Sequence, residues 1–430
     1  MDTYTHVSEG EGNQNTGSIK NKFNKKKKIF RNKALVKVSY IPEKISNIVH
    51  RDDVIDKLQD CLLDVSDNLS PNNIIIYGKM GTGKTVVTSL VLKDLQEVAN
   101  ENGIKLTILN VNCEGLSDNG VLGMINNALI YEIDGKIKDT IGNSMSRNSI
   151  NLKKYYNKLD GLLIIVLDEI DKIKNPNIIN QLMRTISTKN QQPPCLIMIT
   201  NNINFKDYLA GHTKSVMAEN EIQFNPYDAE QISDILKARA KEAFYPNVLA
   251  EMVIPLCAAL AAQEHGDARK AMNLVLKSGE VAEIKGKETI EEEDVREANE
   301  IIEIDRITEI VKTLPTQSKV VLYSIILLKS KGREGKNVTT GETYNVYRQI
   351  CSHLDIDILT QRRVTDLVSE LDMLGLINSI VMHKGRYGRM KEVSLSIPFE
   401  NTRKILLEDY RLRSLEDFKA SVFNKMFSEF

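Results

Sequence analysis

The residues that most restrict what this chain can fold into are Gly78-Lys79-Met80-Gly81-Thr82-Gly83-Lys84-Thr85. An apolar run, Asn73 to Tyr77, precedes them, and a segment with helical spacing of its apolar residues, Val86 to Ala99, follows. Strand, glycine-rich turn and helix in that order bring successive backbone N–H groups and the positive end of a helix onto one anion. Gly78, Gly81 and Gly83 permit the turn, and Lys84 reaches the β- and γ-phosphates of a nucleoside triphosphate. The Thr85 hydroxyl is suited to Mg2+. With Thr82 and Val86 beside them, these residues form the expected nucleotide-binding set for ATP or ADP.

A strand followed by a helix needs parallel neighbours to bury both its faces. Leu106 to Val111, Leu162 to Leu167 and Leu196 to Thr200 read as further strands alternating with amphipathic helices, which predicts an α/β parallel sheet with right-handed crossovers. Leu162-Leu163-Ile164-Ile165-Val166-Leu167 has no polar alternation, as a central strand covered on both faces requires. It runs into Asp168-Glu169-Ile170-Asp171, at the strand edge where open α/β sheets bind ligands. Asp168 would hold the shell of the metal and Glu169 would polarise the attacking water. At the end of the next strand, Asn201 is placed to reach the γ-phosphate or that water, although an Asn there is also an ordinary turn residue.

The chain has 430 residues, 42% of them hydrophobic and 27% charged, with a formal net charge of -1. That is a globular composition long enough for two or three domains, and it excludes a disordered chain. Near-zero net charge gives no global attraction to nucleic acid, so DNA contact has to come from local basic clusters. Five cysteines without paired spacing argue against a zinc site or redox dithiol, and no apolar run approaches the roughly 20 residues needed to span a bilayer. The expected location is cytoplasmic and nucleoid-associated, with no membrane partner.

Residues 1–28 are polar and end in Lys25-Lys26-Lys27-Lys28, and read as a basic tail. Residues 29–224 form the nucleotide-binding base. After Pro226 strand signals stop, and Asp228 to Ala243, Ala250 to Glu264, Ala268 to Ile284 and Glu292 to Ile304 read as helices of a lid, residues 225–304. Residues 305–430 form a third unit. In it the helix Gln361 to Leu374 puts Val364, Leu367, Val368, Leu371 and Leu374 on one face, and a strand, Ile377 to Val381, and a basic turn follow. That pattern suggests a winged helix. Thr360, Gln361, Arg362 and Arg363 open the recognition helix, and Lys384, Arg386, Tyr387, Arg389 and Lys391 line the hairpin, a pattern that points to DNA.

Together these segments resemble the AAA+ initiator ATPases, and within them the archaeal origin-recognition-complex-type replication initiators. The resemblance runs from about Ile29 to about Pro398. It is carried by Tyr40-Ile41-Pro42, His50-Arg51, the phosphate loop, Val166 to Asp171, Pro226-Tyr227-Asp228-Ala229, Gly266-Asp267-Ala268-Arg269, Leu359 to Val364 and Gly385 to Arg389.

The resemblance implies an AAA+ P-loop sheet with a helical lid and a C-terminal winged helix. It implies that Tyr227 lines the adenine pocket, that Arg239 contacts the nucleotide, that Val49, His50 and Arg51 flank the base, and that Arg269 reaches the γ-phosphate from the lid. From the residues alone, Asp267 and Arg269 are equally a helix cap and a solvated cation. A second DNA contact is implied in an insertion near Leu129 to Ile150, with Lys136, Lys138 and Arg147 as candidates. Where the family usually shows an arginine, His212 to Met217 offers Lys214, which lacks the planar fork of an arginine finger. The implied activity is ATP-dependent origin recognition with slow hydrolysis. The partners are double-stranded origin DNA, the replicative helicase and other initiator copies. The alternative is an ATP-gated transcription regulator.

Overall fold

The computed structural model describes residues 29–136, 140–173, 175, 177–186, 192–209, 211, 214, 220–264, 266–330, 338–383 and 389–419. They divide into two compact units, Met1–Ala298 and Asn299–Phe430.

The first unit opens with a segment whose Ile29, Phe30 and Val36 are buried. Helix α1 (Asp52–Asp60) leads to β1 (Ile74–Gly78), the loop and α2 (Lys84–Glu101). Next come β2 (Leu106–Asn112), α3 (Asp118–Asp134), α4 (Met145–Tyr156), β3 (Leu162–Asp168), α5 (Asn177–Ile186), β4 (Cys195–Thr200) and β5 (Asn220–Phe224). These strands pair in parallel, in the order β2-β3-β4-β1-β5.

Period-two alternation splits the strand side chains between two cores. Ile75, Leu109, Ile165 and Met198 face α3, α4 and α5, while Ile74, Ile76, Ile164 and Ile197 face α1 and α2. β3 is buried along its apolar length, as its lack of polar alternation predicts. Helix α2 starts at Lys84, two residues before the expected Val86, because the backbone closes directly after Gly83. β5 went unrecognised in the sequence, being a short edge strand with alternating exposure.

The lid consists of α6 (Ala229–Ala243), α7 (Val253–Gln263), α8 (Ala268–Lys285) and the start of α9 (Glu292–Thr313). Asp228 caps α6 in a reciprocal box with Gln231, and Asp267 caps α8. The N-terminal segment is fastened to this lid: the Phe30 ring packs tilted against Phe244 with ring centroids 4.9 Å apart, and it lies where a Cβ on Gly279 would be. Helix α9 continues to Thr313, so the expected boundary at 304/305 falls inside a helix. Nothing in that stretch breaks a helix.

The second unit holds α10 (Thr316–Ser330), β6 (Val338–Thr339), α11 (Thr340–Leu354), α12 (Gln361–Met373), β7 (Ile377–His383), β8 (Arg389–Leu395) and α13 (Phe399–Glu408). An antiparallel sheet ordered β6-β8-β7 packs with helices around Tyr323, Tyr347 and Val368. This is a winged helix. Val364, Leu367, Val368 and Leu371 of α12 are buried as expected, but Leu374 is 40% exposed because the helix ends before it.

Candidate functional site

β4 lies between β1 and β3, so the ends of these three strands converge at one edge of the sheet. Gly81 and Gly83 take φ of +73° and +92°, a left-handed region that favours residues without a Cβ. Gly78 lies so close to β5 that a Cβ would meet the Phe224 carbonyl oxygen at 2.4 Å. Lys84, 6% exposed, donates its ammonium to the Gly78 and Lys79 carbonyls and to Asn201 Oδ1, each at 2.8 Å. Burial lowers its pKa to about 8, against the opposing pull of Asp168.

Thr85 Oγ1 donates to Asp168 Oδ2 at 2.8 Å, so a hydroxyl and a carboxylate from different elements are already adjacent. Two hard oxygens suit Mg2+, which takes few protein ligands and completes its shell with water and phosphate. Glu169 holds a left-handed backbone (φ +54°), which costs a side-chain-bearing residue about 1 kcal/mol or more. Burial raises its pKa, with Glu114 and Asp168 adding to the effect. Asp171 Oδ1 accepts from the Thr200 hydroxyl at 2.8 Å and from the Asn201 N–H at 3.1 Å, and so fixes the end of β4.

A cleft of about 530 Å³ lies between sheet edge and lid. Val49, Gly81, Gly83, Lys84, Thr85, Val86, Asp168, Glu169, Asn201, Tyr227, Arg239 and Arg269 all border it. Gly78 and Thr82 do not line it but build the loop: the Thr82 hydroxyl donates to the Lys79 carbonyl at 2.8 Å. His50 Nε2 lies 3.1 Å from Asp234 Oδ2 on α6. Arg51 is buried, and its guanidinium donates to the Thr82 and Asn225 backbone carbonyls.

Sequence reading also missed Tyr40 as a cleft residue. Its ring lies 4.5 Å from the Arg239 guanidinium, and the apolar Tyr40-Ile41-Pro42 was the available signal.

In the second unit Thr360 caps α12 by accepting from the Arg363 N–H, and Gln361, Arg362 and Arg363 are exposed. Arg363 Nη1 lies 3.5 Å from Glu370. Lys391, expected on the wing, donates to Ser369 Oγ of α12 at 2.7 Å, because the register of β8 turns it inward onto the helix. Lys384, Arg386 and Tyr387 lie outside the described residues, as do Lys138 and the Arg389 side chain. Lys136 and Arg147 are exposed near α3 and α4, and Lys214 lies 3.3 Å from Asp207. Among the described residues no helix is long and apolar enough to cross a membrane.

A parallel sheet of this order, a phosphate loop answered by carboxylates on β3 and an amide after β4, and a helical lid define an AAA+ ATPase. Residues 74–210 match the ATPase family associated with various cellular activities (AAA), residues 233–300 the Cdc6 AAA+ ATPase-type lid domain, and residues 309–405 the CDC6 C-terminal winged helix domain. The ORC1-type DNA replication protein 1 of Methanosarcina mazei is 52% identical over 404 residues, 94% of this chain and 96% of the relative. That of Pyrococcus horikoshii is 42% identical over 395 residues, 91% of this chain and 93% of its own. The Aeropyrum pernix ORC1 protein, solved in complex with DNA, superimposes with a TM-score of 0.78 at 38% identity, covering 91% of this chain and 100% of that one. The chain belongs to the ORC1-type DNA replication protein family.

Proposed function

We propose that this chain initiates DNA replication as an ATP-gated, origin-binding protein that hydrolyses ATP slowly and helps to load the replicative helicase. The observation that carries the reading is the pair of hydrogen bonds Lys84–Asn201 and Thr85–Asp168, each 2.8 Å, inside a lid-covered cleft of a chain that also bears a winged helix.

In this reading Lys84 and the loop N–H groups hold the β- and γ-phosphates. Asn201 and Glu169 flank the attacking water, Glu169 as base, its raised pKa making the carboxylate a stronger proton acceptor. Arg269 contacts the γ-phosphate from the lid, and Tyr227 and Arg239 border the adenine. Thr85 and Asp168 would hold Mg2+, which neutralises charge on the phosphate oxygens. Slow turnover follows from Lys214 standing where the family shows arginine, since a lysine cannot offer a bidentate fork to transition-state charge.

DNA would be gripped by the exposed Gln361, Arg362 and Arg363 of α12 in the major groove. The glycine-flanked Lys384, Arg386, Tyr387 and Arg389 of the wing would contact phosphates. The DNA-bound state of the Aeropyrum relative supports this reading. The replicative helicase and further initiator copies are the proposed protein partners, and the nucleoid of the cytoplasm the site of action. Genome-wide footprinting tests the proposal: occupancy should cluster where replication starts. Occupancy spread over promoters would favour a transcription regulator.

A further inference from the structure

Arg51 is 4% exposed, and its guanidinium donates to backbone carbonyls and also interacts with the Tyr227 side chain. Its Nε donates to the Thr82 carbonyl at 3.1 Å, inside the phosphate loop. Its Nη2 donates to the Asn225 carbonyl at 2.8 Å, in the joint between base and lid, and Nη1 lies 3.5 Å from the His50 carbonyl. The guanidinium also stacks 3.7 Å from the Tyr227 ring centroid. One planar group therefore ties the loop to the joint, and only arginine has donors spaced for both carbonyls at once.

The joint in turn carries the lid. A Cβ on Gly266 would come within 2.2 Å of the Tyr227 carbonyl oxygen, so the turn before α8 rests directly on Tyr227. Asp267 presses its carboxylate on Gly81 and accepts from the Arg269 N–H at 2.7 Å. A chain of contacts thus runs from the Thr82 carbonyl through Arg51 to Asn225 and Tyr227, then to Gly266 and the start of the helix bearing Arg269, alongside the direct contact of Asp267 with Gly81.

We propose that Arg51 is a positioning residue that couples the phosphate loop to the lid angle, so that Arg269 meets the nucleotide only when the loop is in its nucleotide-holding form. Arg51 acts through Arg269. The inference rests on the reading of the cleft as an adenine-nucleotide site.

The test compares affinities for ADP and a non-hydrolysable ATP analogue in the full chain, for wild type, Arg51→Lys, Arg269→Ala and the double variant. Arg51→Lys should lower the preference for the ATP analogue about ten-fold, within the usual span of coupling between sites. ADP binding should change far less. The double variant should show no greater loss than Arg269→Ala alone, because the two act in series. Additive losses, or an unchanged preference in Arg51→Lys, overturn the proposal.

A second measurement needs no variant. Amide exchange of the wild type during titration with the analogue should slow at residues 48–53, 78–85, 224–228 and 266–272 with one midpoint. A response at 78–85 and 266–272 with none at 48–53 and 224–228 also overturns it. A wild-type chain binding neither nucleotide would instead refute the reading of the cleft.

Discussion

Asp171→Ala isolates the part of the cleft that positions rather than reacts. The carboxylate accepts from the Thr200 hydroxyl at 2.8 Å and the Asn201 N–H at 3.1 Å, and Thr200 is 1% exposed. Hydrogen bonds to a charged acceptor contribute about 1.5–3 kcal/mol each, and the buried hydroxyl has no water to turn to. The half-buried Asn201 N–H regains part of its loss from solvent, so the summed cost is about 3 kcal/mol.

Catalysis should suffer separately. The Asn201 side chain, which accepts from Lys84 Nζ, loses its anchored backbone, and misplacement of a catalytic group by about 1 Å lowers turnover roughly 100-fold. Urea denaturation reads the first effect, and steady-state phosphate release the second. A fluorescent ATP analogue should show that affinity is largely kept. Thr200→Val, which spares the bond to the Asn201 N–H, should cost stability with little loss of turnover. A folded Asp171→Ala chain with wild-type turnover, or one that loses nucleotide as completely as Lys84→Ala, would refute the reasoning.

Glu169→Gln should keep nucleotide binding and lose turnover. In the wild type, turnover should fall with acid at a higher pH than an ordinary carboxylate gives, because the raised pKa means Glu169 is protonated, and useless as a base, sooner as pH drops. Glu114→Gln should move that acid limb downward, and a kcat profile unmoved by it would discard the assignment. Phe30→Ala should destabilise the first unit by about 3–5 kcal/mol in denaturant titrations, since it empties a site against Phe244 and Gly279. A loss below about 0.5 kcal/mol would mean the N-terminal segment is not fastened to the lid. Arg386→Ala with Arg389→Ala should lower the slope of log affinity against log salt by about 0.9 for each DNA phosphate the wing no longer neutralises, measured on duplex DNA; an unchanged slope removes the wing from the interface.

The features legible along the chain are local ones. The loop at 78–85, the uninterrupted apolar run ending in Asp168-Glu169 and the capped α12 each sit within one strand–turn–helix stretch, where glycine spacing, burial period and cap chemistry act over a few residues. How these stretches meet emerges only on folding. The order β2-β3-β4-β1-β5 sets Asn201 against Lys84, 117 positions away, and Asp171 against Thr200. No periodicity records such a pairing, because strand order is fixed by the packing of two opposed cores. The same holds for Arg51, which follows His50 in the sequence and is bound to carbonyls at Thr82 and Asn225. Its acceptors at Thr82 and Asn225 are backbone atoms, which leave no trace in side-chain identity, so its place between loop and lid became visible only once the chain had folded.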